Sequence, residues 1–185
     1  YGLPSSARYL DLDKMIRETR PDIAVIATQA DYHYELGMQA LDLGVSIDVE
    51  KPHCEDLAQA DAMLARAKAR GVRTRAICVI NPGNPTGSVL DERNVEMVLD
   101  FARAHGLSVL ADEVYQDNVW LSGDRFVSFA SMLEKHAIRD VSLFSFHSVS
   151  KGYLGECGHR GGYLECRNVP ADVMDELTRL QSISL

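Results

Sequence analysis

The chain of 185 residues has no surplus of positive charge. Nineteen Lys and Arg stand against 27 Asp and Glu, a formal net charge of −8. That balance argues against general nucleic-acid binding, which needs a basic face to displace counterions. It leaves room for a local cationic pocket that holds a small phosphate. No apolar run approaches the ~18 residues of a membrane span, and no charged-then-apolar leader opens the chain, so no membrane partner is expected. The four cysteines, Cys54, Cys78, Cys157 and Cys166, lie far apart without a CxxC pair. This excludes the usual zinc spacing and fits reduced thiols of a cytoplasmic protein better than a disulfide framework. Also missing are a GxGxxG turn, internal repeats, low-complexity tracts and a linker. The first residue is Tyr1 rather than Met, in what reads as a loop, so a fragment or an excised piece is expected.

What is present is an ordinary globular composition, 46% hydrophobic and 25% charged. Its apolar residues recur in a regular alternation. Leu10 to Thr19 has helical spacing and stops at Pro21. Ile23 to Ala27 is a continuous β-branched run, the pattern of a strand covered on both faces. Asp31 is placed to cap a helix running to about Leu43, with Gly44 as its stop. Val45 to Val49 follows as a strand. Asp56 and Gln59 form a capping box for a helix that ends at Gly71. Ala76 to Ile80 is the next strand, and Asp91 caps a helix closed by Gly106. Strands are then expected at Leu107 to Ala111, Val141 to Phe146 and Gly161 to Cys166. Helices are expected from about Ser128 and from Pro170 to Ser182. Such alternation predicts an α/β fold, a three-layer sandwich whose mostly parallel sheet has helices on both faces. The expected organisation is one continuous domain over residues 1–185.

In sheets of this kind ligands bind beyond the carboxyl ends of the strands. The chemically active residues fall there. NPGNPTG (Asn81 to Gly87) presents side-chain amides on a turn fixed by two prolines and two glycines. ADEVYQDNV places Asp112 at a strand end, with Tyr115 three residues on. SFHSVSKGYLGECGHRGGY holds Lys151 at the mouth of an apolar strand, where a desolvated amine can attack a carbonyl. Ser148, Ser150 and Arg160 around it could bind a phosphate through hydroxyl donors and a forked guanidinium. Each segment also has a plain reading: a proline turn, a helix cap, a loop lysine. Their common position at strand ends favours a pocket.

From about Arg75 to Leu185 these motifs resemble the pyridoxal-phosphate-dependent aminotransferases of class I/II, with wording nearest to the alanine aminotransferases. The resemblance implies amino-group transfer through an aldimine on Lys151, which would also shuttle the substrate Cα proton. It implies that Asp112 pairs with the pyridinium nitrogen and that Tyr115 and Asn84 bind the ring oxygen. Ser148, Arg160 and, more weakly, Ser150 would hold the phosphate. An amino acid and a 2-oxo acid are the implied substrates, and a homodimer is the implied assembly. The N-terminal phosphate loop, the stacking aromatic and the substrate-carboxylate arginine of that family are not found, so impaired turnover is expected.

Residues 1 to about 70 resemble something else, the Rossmann domain of the glucose–fructose oxidoreductase and inositol dehydrogenase family. The strand IAVIAT, His33 after it, and Glu50-Lys51-Pro52 after the next strand carry that resemblance. It implies an alternative site at His33, Glu50 and Lys51 with NAD(P) as cofactor. The plain reading of Glu50 and Lys51 is a surface ion pair worth at most ~1 kcal/mol. The two resemblances meet between Asp61 and Arg75, which implies a chimera, by design or by gene fusion or misassembly. An inactive α/β scaffold is the third reading.

Overall fold

The computed structural model describes residues 4–50, 54, 56–120, 123 and 125–183. It is α/β throughout, and it divides into two compact units, Tyr1–Thr74 and Arg75–Leu185.

In the first unit, α1 (Leu12–Thr19) begins at Asp11, whose carboxylate accepts a hydrogen bond from the Lys14 amide at 2.7 Å. This is the N-cap role expected of a short acidic residue. β1 (Ile23–Ile26) and β2 (Ser46–Val49) run parallel, with Ile23 opposite Ser46 and Ile26 opposite Val49. Between them lie a 3-10 turn (Ala30–Tyr32) and α2 (His33–Asp42). The turn displaces the expected cap: Asp31 lies within it, and Tyr32 precedes the helix without a side-chain bond. α3 (Leu57–Ala69) starts at Asp56, which accepts from the Gln59 amide at 2.8 Å. The core is small, built from Ile16, Ala24, Ala40 and Val45 with Leu12, Met15, Leu43 and Ile47 packed against it. IAVIA was expected to be covered on both sides. Instead β1 buries Ala24 and Ile26 while Ile23 and Val25 are 59% and 70% exposed. In this two-stranded sheet, alternation hands each face every second side chain, and only the Ala24 face meets α2.

The second unit holds a four-stranded sheet in the order β3 (Ala76–Ile80), β4 (Ser108–Asp112), β5 (Leu143–Ser148), β6 (Gly162–Arg167). The first three strands are parallel and β6 is antiparallel to β5. α4 (Glu92–His105) crosses from β3 to β4. Asp91 caps it through the Asn94 amide at 2.8 Å, and Gly106 ends it at a φ of 63°. Glycine bears that left-handed conformation without a Cβ penalty. α5 (Phe129–Lys135) crosses from β4 to β5, capped by Ser128. Along β4 only Val109 and Ala111 are buried, and along β5 only Leu143 and Ser145. Val95, Leu99 and Ala102 of α4 and Phe129, Met132 and Leu133 of α5 are buried with them. α6 (Ala171–Ile183) closes the chain.

Among the described residues the strands pair within each unit. β1 and β2 pair with each other, and β3 to β6 form a separate sheet.

Candidate active site

The parallel strands of the second unit end in line. Ile80 is paired with Asp112, and Asp112 with Phe146. The loops that leave these strands therefore share one edge of the sheet, where open α/β sheets bind ligands. Backbone bonds extend the ladder past the strands: the Asn81 amide donates to the Asp112 carbonyl at 3.0 Å, and the Glu113 amide to the Phe146 carbonyl at 3.2 Å.

Asn81 fixes the first loop. It is fully buried, its amide nitrogen donates to the Val127 carbonyl at 3.2 Å, and its oxygen accepts from the Leu90 amide at 2.9 Å. Asn84 is thereby presented on the exposed part of the turn, where its Nδ2 donates to the Tyr115 hydroxyl at 2.9 Å. The Lys151 ammonium lies over the Tyr115 ring, 5.7 Å from its centroid. That is within the range in which a cation is drawn to an aromatic face. The loops after β3, β4 and β5 thus bring Asn84, Tyr115 and Lys151 together. Asp112 occupies the last position of β4, half-buried, with its Oδ1 shut from solvent.

The residues read as phosphate ligands are arranged differently. Ser148 was expected just after β5 and is its last residue. Its hydroxyl accepts from the Ser150 amide at 3.1 Å and donates to the Gly161 carbonyl at 3.4 Å. Arg160 has a left-handed backbone, φ 50°, and its guanidinium donates to the Cys157 carbonyl at 3.0 Å. The Ser150 carbonyl accepts the Cys157 thiol at 3.2 Å. These bonds stay between the end of β5 and the loop that leads to β6. Gly152 has a φ of 61°, and a Cβ there would lie 3.3 Å from Asp117 Oδ2, so the loop closes on the β4 side only around glycine.

Sequence reasoning passed over Glu113. It is 4% exposed, and its carboxylate accepts from the Ser145 hydroxyl and, at 2.9 Å, from the Phe129 amide that opens α5. Burial pushes its carboxyl above the usual value, with the two hydrogen bonds opposing. The signal was available: alternation along VLADE turns Val109, Ala111 and Glu113 to the covered face, where an acid needs partners.

The alternative site is read from the first unit. His33 is buried at the start of α2, with Nε2 3.1 Å from the Thr28 carbonyl, a bond that ties the helix to the end of β1. Glu50 is exposed, and its amide donates to the Ile26 carbonyl at 2.8 Å. Lys51 lies outside the described residues. All four cysteines are free thiols, with burial raising the pKa of Cys54 and Cys166. No described helix is long and apolar enough to cross a membrane.

Two sequence families match the chain. The model of "Oxidoreductase family, NAD-binding Rossmann fold" covers residues 2–78, and that of "Aminotransferase class I and II" covers residues 45–184. Among curated proteins, alanine aminotransferase 2, mitochondrial, of Arabidopsis thaliana is 46% identical over 124 residues, 66% of this chain and 23% of that protein. Human alanine aminotransferase 1 is 44% identical over 154 residues, 82% of this chain and 30% of that protein. This chain therefore spans less than a third of the length of either relative. Among solved structures, an alanine aminotransferase from Pyrococcus furiosus aligns with a TM-score of 0.52 at 32% identity, over 61% of this chain and 28% of that one. An aminotransferase from Escherichia coli aligns with a TM-score of 0.59 over 94% of this chain and 43% of that one; at 23% identity it shows the fold alone. Matched by that family over residues 45–184, three loops converging at its strand ends, the chain belongs to the class I and II aminotransferases.

Proposed function

We propose that the second unit carries the cofactor-ring half of a pyridoxal-phosphate-dependent aminotransferase of the alanine type. Its substrates would be an amino acid and a 2-oxo acid, and its partner a second copy of the chain. The observation that carries this reading is the Asn84–Tyr115 hydrogen bond with Lys151 over the same ring, on the edge that Asp112 ends. The donor set suits the cofactor: an amine for its aldehyde, a carboxylate for its ring nitrogen, a phenol and an amide for its ring oxygen. When bound, pyridoxal phosphate supplies an electron-accepting ring.

Each residue has a task that follows from its chemistry. Asp112 would pair with the ring nitrogen, since a neighbouring carboxylate favours the cationic, protonated form of a base. Tyr115 already accepts from Asn84, so its own O–H proton is left to donate to the ring oxygen. Lys151 would supply the amine for the cofactor's aldehyde, and its free amine would move the proton at the substrate Cα. Ser148, Ser150 and Arg160 are the phosphate ligands, provided that Arg160 leaves the Cys157 carbonyl. A compartment with reduced thiols, the cytoplasm first, suits four free cysteines.

The test is to add pyridoxal phosphate, reduce with borohydride, digest and locate the modified lysine by mass spectrometry. A single adduct on Lys151, lost in Asp112→Ala, supports the reading. Equal labelling of several lysines, or none, overturns it. The Rossmann match over residues 2–78 favours a second reading, an NAD(P)-binding oxidoreductase remnant with His33, Glu50 and Lys51 near the nicotinamide. NAD(H) titration of the chain and of Lys51→Ala decides that one. A chain that binds neither cofactor is an inactive scaffold.

A further inference from the structure

We propose that Glu113 is a positioning residue, its buried carboxyl bridging α5 and β5 so that the end of β4 holds Asp112 and Tyr115 in place for the cofactor. The inference rests on the pyridoxal phosphate reading for its functional half. The bridge itself stands on contacts alone.

Asp112 and Glu113 are consecutive, so an extended backbone sends their side chains to opposite faces. Glu113 falls on the same face as Ala111, and its two carboxyl oxygens reach two different elements. Oε1 accepts from the Phe129 amide, the first residue of α5, and Oε2 accepts from the Ser145 hydroxyl of β5. Its own amide donates to the Phe146 carbonyl, one residue further along β5. One residue thus bonds neighbouring elements through both its backbone and its side chain, directly after Asp112 and two residues before Tyr115. Beyond it the Gln116 amide donates back to the Glu113 carbonyl at 3.1 Å, so the turn that carries Tyr115 is itself anchored on Glu113.

The bridge depends on shape and hydrogen bonding rather than on charge. The Phe129 amide needs an acceptor at Oε1 whatever the protonation state. The Ser145 hydroxyl can rotate to donate or to accept. A neutral side chain of the same outline, with an oxygen toward Phe129 and a donor toward Ser145, satisfies both partners. Glutamine is that side chain, and alanine leaves both partners without a bond in a buried site, the costlier kind of loss.

The experiment compares the full chain with Glu113→Gln, Glu113→Ala and Ser145→Ala. Amide hydrogen exchange is read at residues 112–116 and at Leu99 and Ala102 in α4, together with the pyridoxal phosphate concentration that half-labels Lys151. In Glu113→Gln both readouts stay within about twofold of the parent. In Ser145→Ala, which removes one small hydroxyl and should fold if Glu113→Ala does not, exchange at 112–116 rises about tenfold, the factor for roughly 1.4 kcal/mol of lost hydrogen bonding. Exchange at Leu99 and Ala102 stays unchanged, which separates local positioning from general destabilisation. Half-labelling shifts upward in step. Glu113→Gln behaving like Ser145→Ala overturns the proposal, as does exchange that rises equally in α4. A parent chain that is never labelled at Lys151 refutes the cofactor reading, while the exchange data still decide whether Glu113 holds the strand end.

Discussion

Two adjacent glycines in the β5–β6 hairpin give opposite predictions from a single added methyl. Gly162 pairs with Ser148 in the antiparallel ladder. A Cβ on Gly162 would fall inside the contact distance of the His147 carbonyl oxygen, and 3.3 Å from both the His147 carbonyl carbon and the Ser148 Cα. All three atoms are backbone of the partner strand, so no side chain can rotate away. β6 must then retreat from β5 where β5 ends, three residues before Lys151. Overpacking of this kind costs about 1–3 kcal/mol. At Gly161 the nearest atom to an added Cβ is a Val149 methyl at 3.7 Å, ordinary contact, and alanine there should cost no more than ~0.5 kcal/mol. Urea unfolding followed by circular dichroism reads the difference. With a slope of roughly 2 kcal/mol per molar, Gly162→Ala should lower the midpoint by about 0.5–1.5 M, while Gly161→Ala leaves it nearly in place. Labelling of Lys151 by pyridoxal phosphate should weaken in the first variant alone. Equal midpoints for the two variants would refute the argument, because the register of β6 on β5 would then have to differ.

Other changes test the core, a cap and the buried acid. Leu99→Ala empties a fully buried position on α4 and should cost about 2–5 kcal/mol in the same urea experiment. Asp91→Ala removes the acceptor of the Asn94 amide and should cost about 1 kcal/mol. For Glu113, burial raises the carboxyl above the ordinary 4.5, the Glu165 charge adds to the rise, and the Ser145 and Phe129 bonds oppose it. The folded state therefore keeps this proton to higher pH than the unfolded one does. Its contribution is fully present below the ordinary value and is lost as pH rises through the raised one. Urea midpoints of Glu113→Gln relative to the parent should then climb across that window, and a difference that stays constant with pH sinks the assignment.

The elements most visible in the sequence were those whose local chemistry and tertiary role agree. Asp56, Asp91 and Ser128 cap their helices as their types predict, and Gly106 ends α4 in the left-handed conformation that only glycine adopts freely. AICVI was read at the bounds it takes, Ala76–Ile80. Where pairing decides, the reading slipped. The strand expected at Val141 to Phe146 runs Leu143–Ser148, because its limits come from the partners in β4 and β6 and not from its own apolar run. Ser148 thereby moved from the loop into the ladder. Strand pairing was equally out of reach, since a β-branched run reports that it is extended and not which strand it pairs with.

The site divides along the same line. Asn84, Asp112, Tyr115 and Lys151 lie at or just beyond strand ends, a position legible from the alternation of elements, while the role of each was read from the family resemblance. The contacts among them were not visible, since Asn84 reaches Tyr115 across 31 residues of sequence. Glu113 is the instructive omission. Beside Asp112 it reads as one more acid in a polar loop, and only its place on the buried side of β4 separates them. Asp112 is the last residue of β4, and Glu113 is turned toward Ser145 and the start of α5. In an extended chain neighbouring side chains face opposite sides, so one residue separates the covered position of Glu113 from that of Asp112. A shift of one residue along β4 would exchange the two faces and take the Glu113 carboxyl away from Ser145 and Phe129.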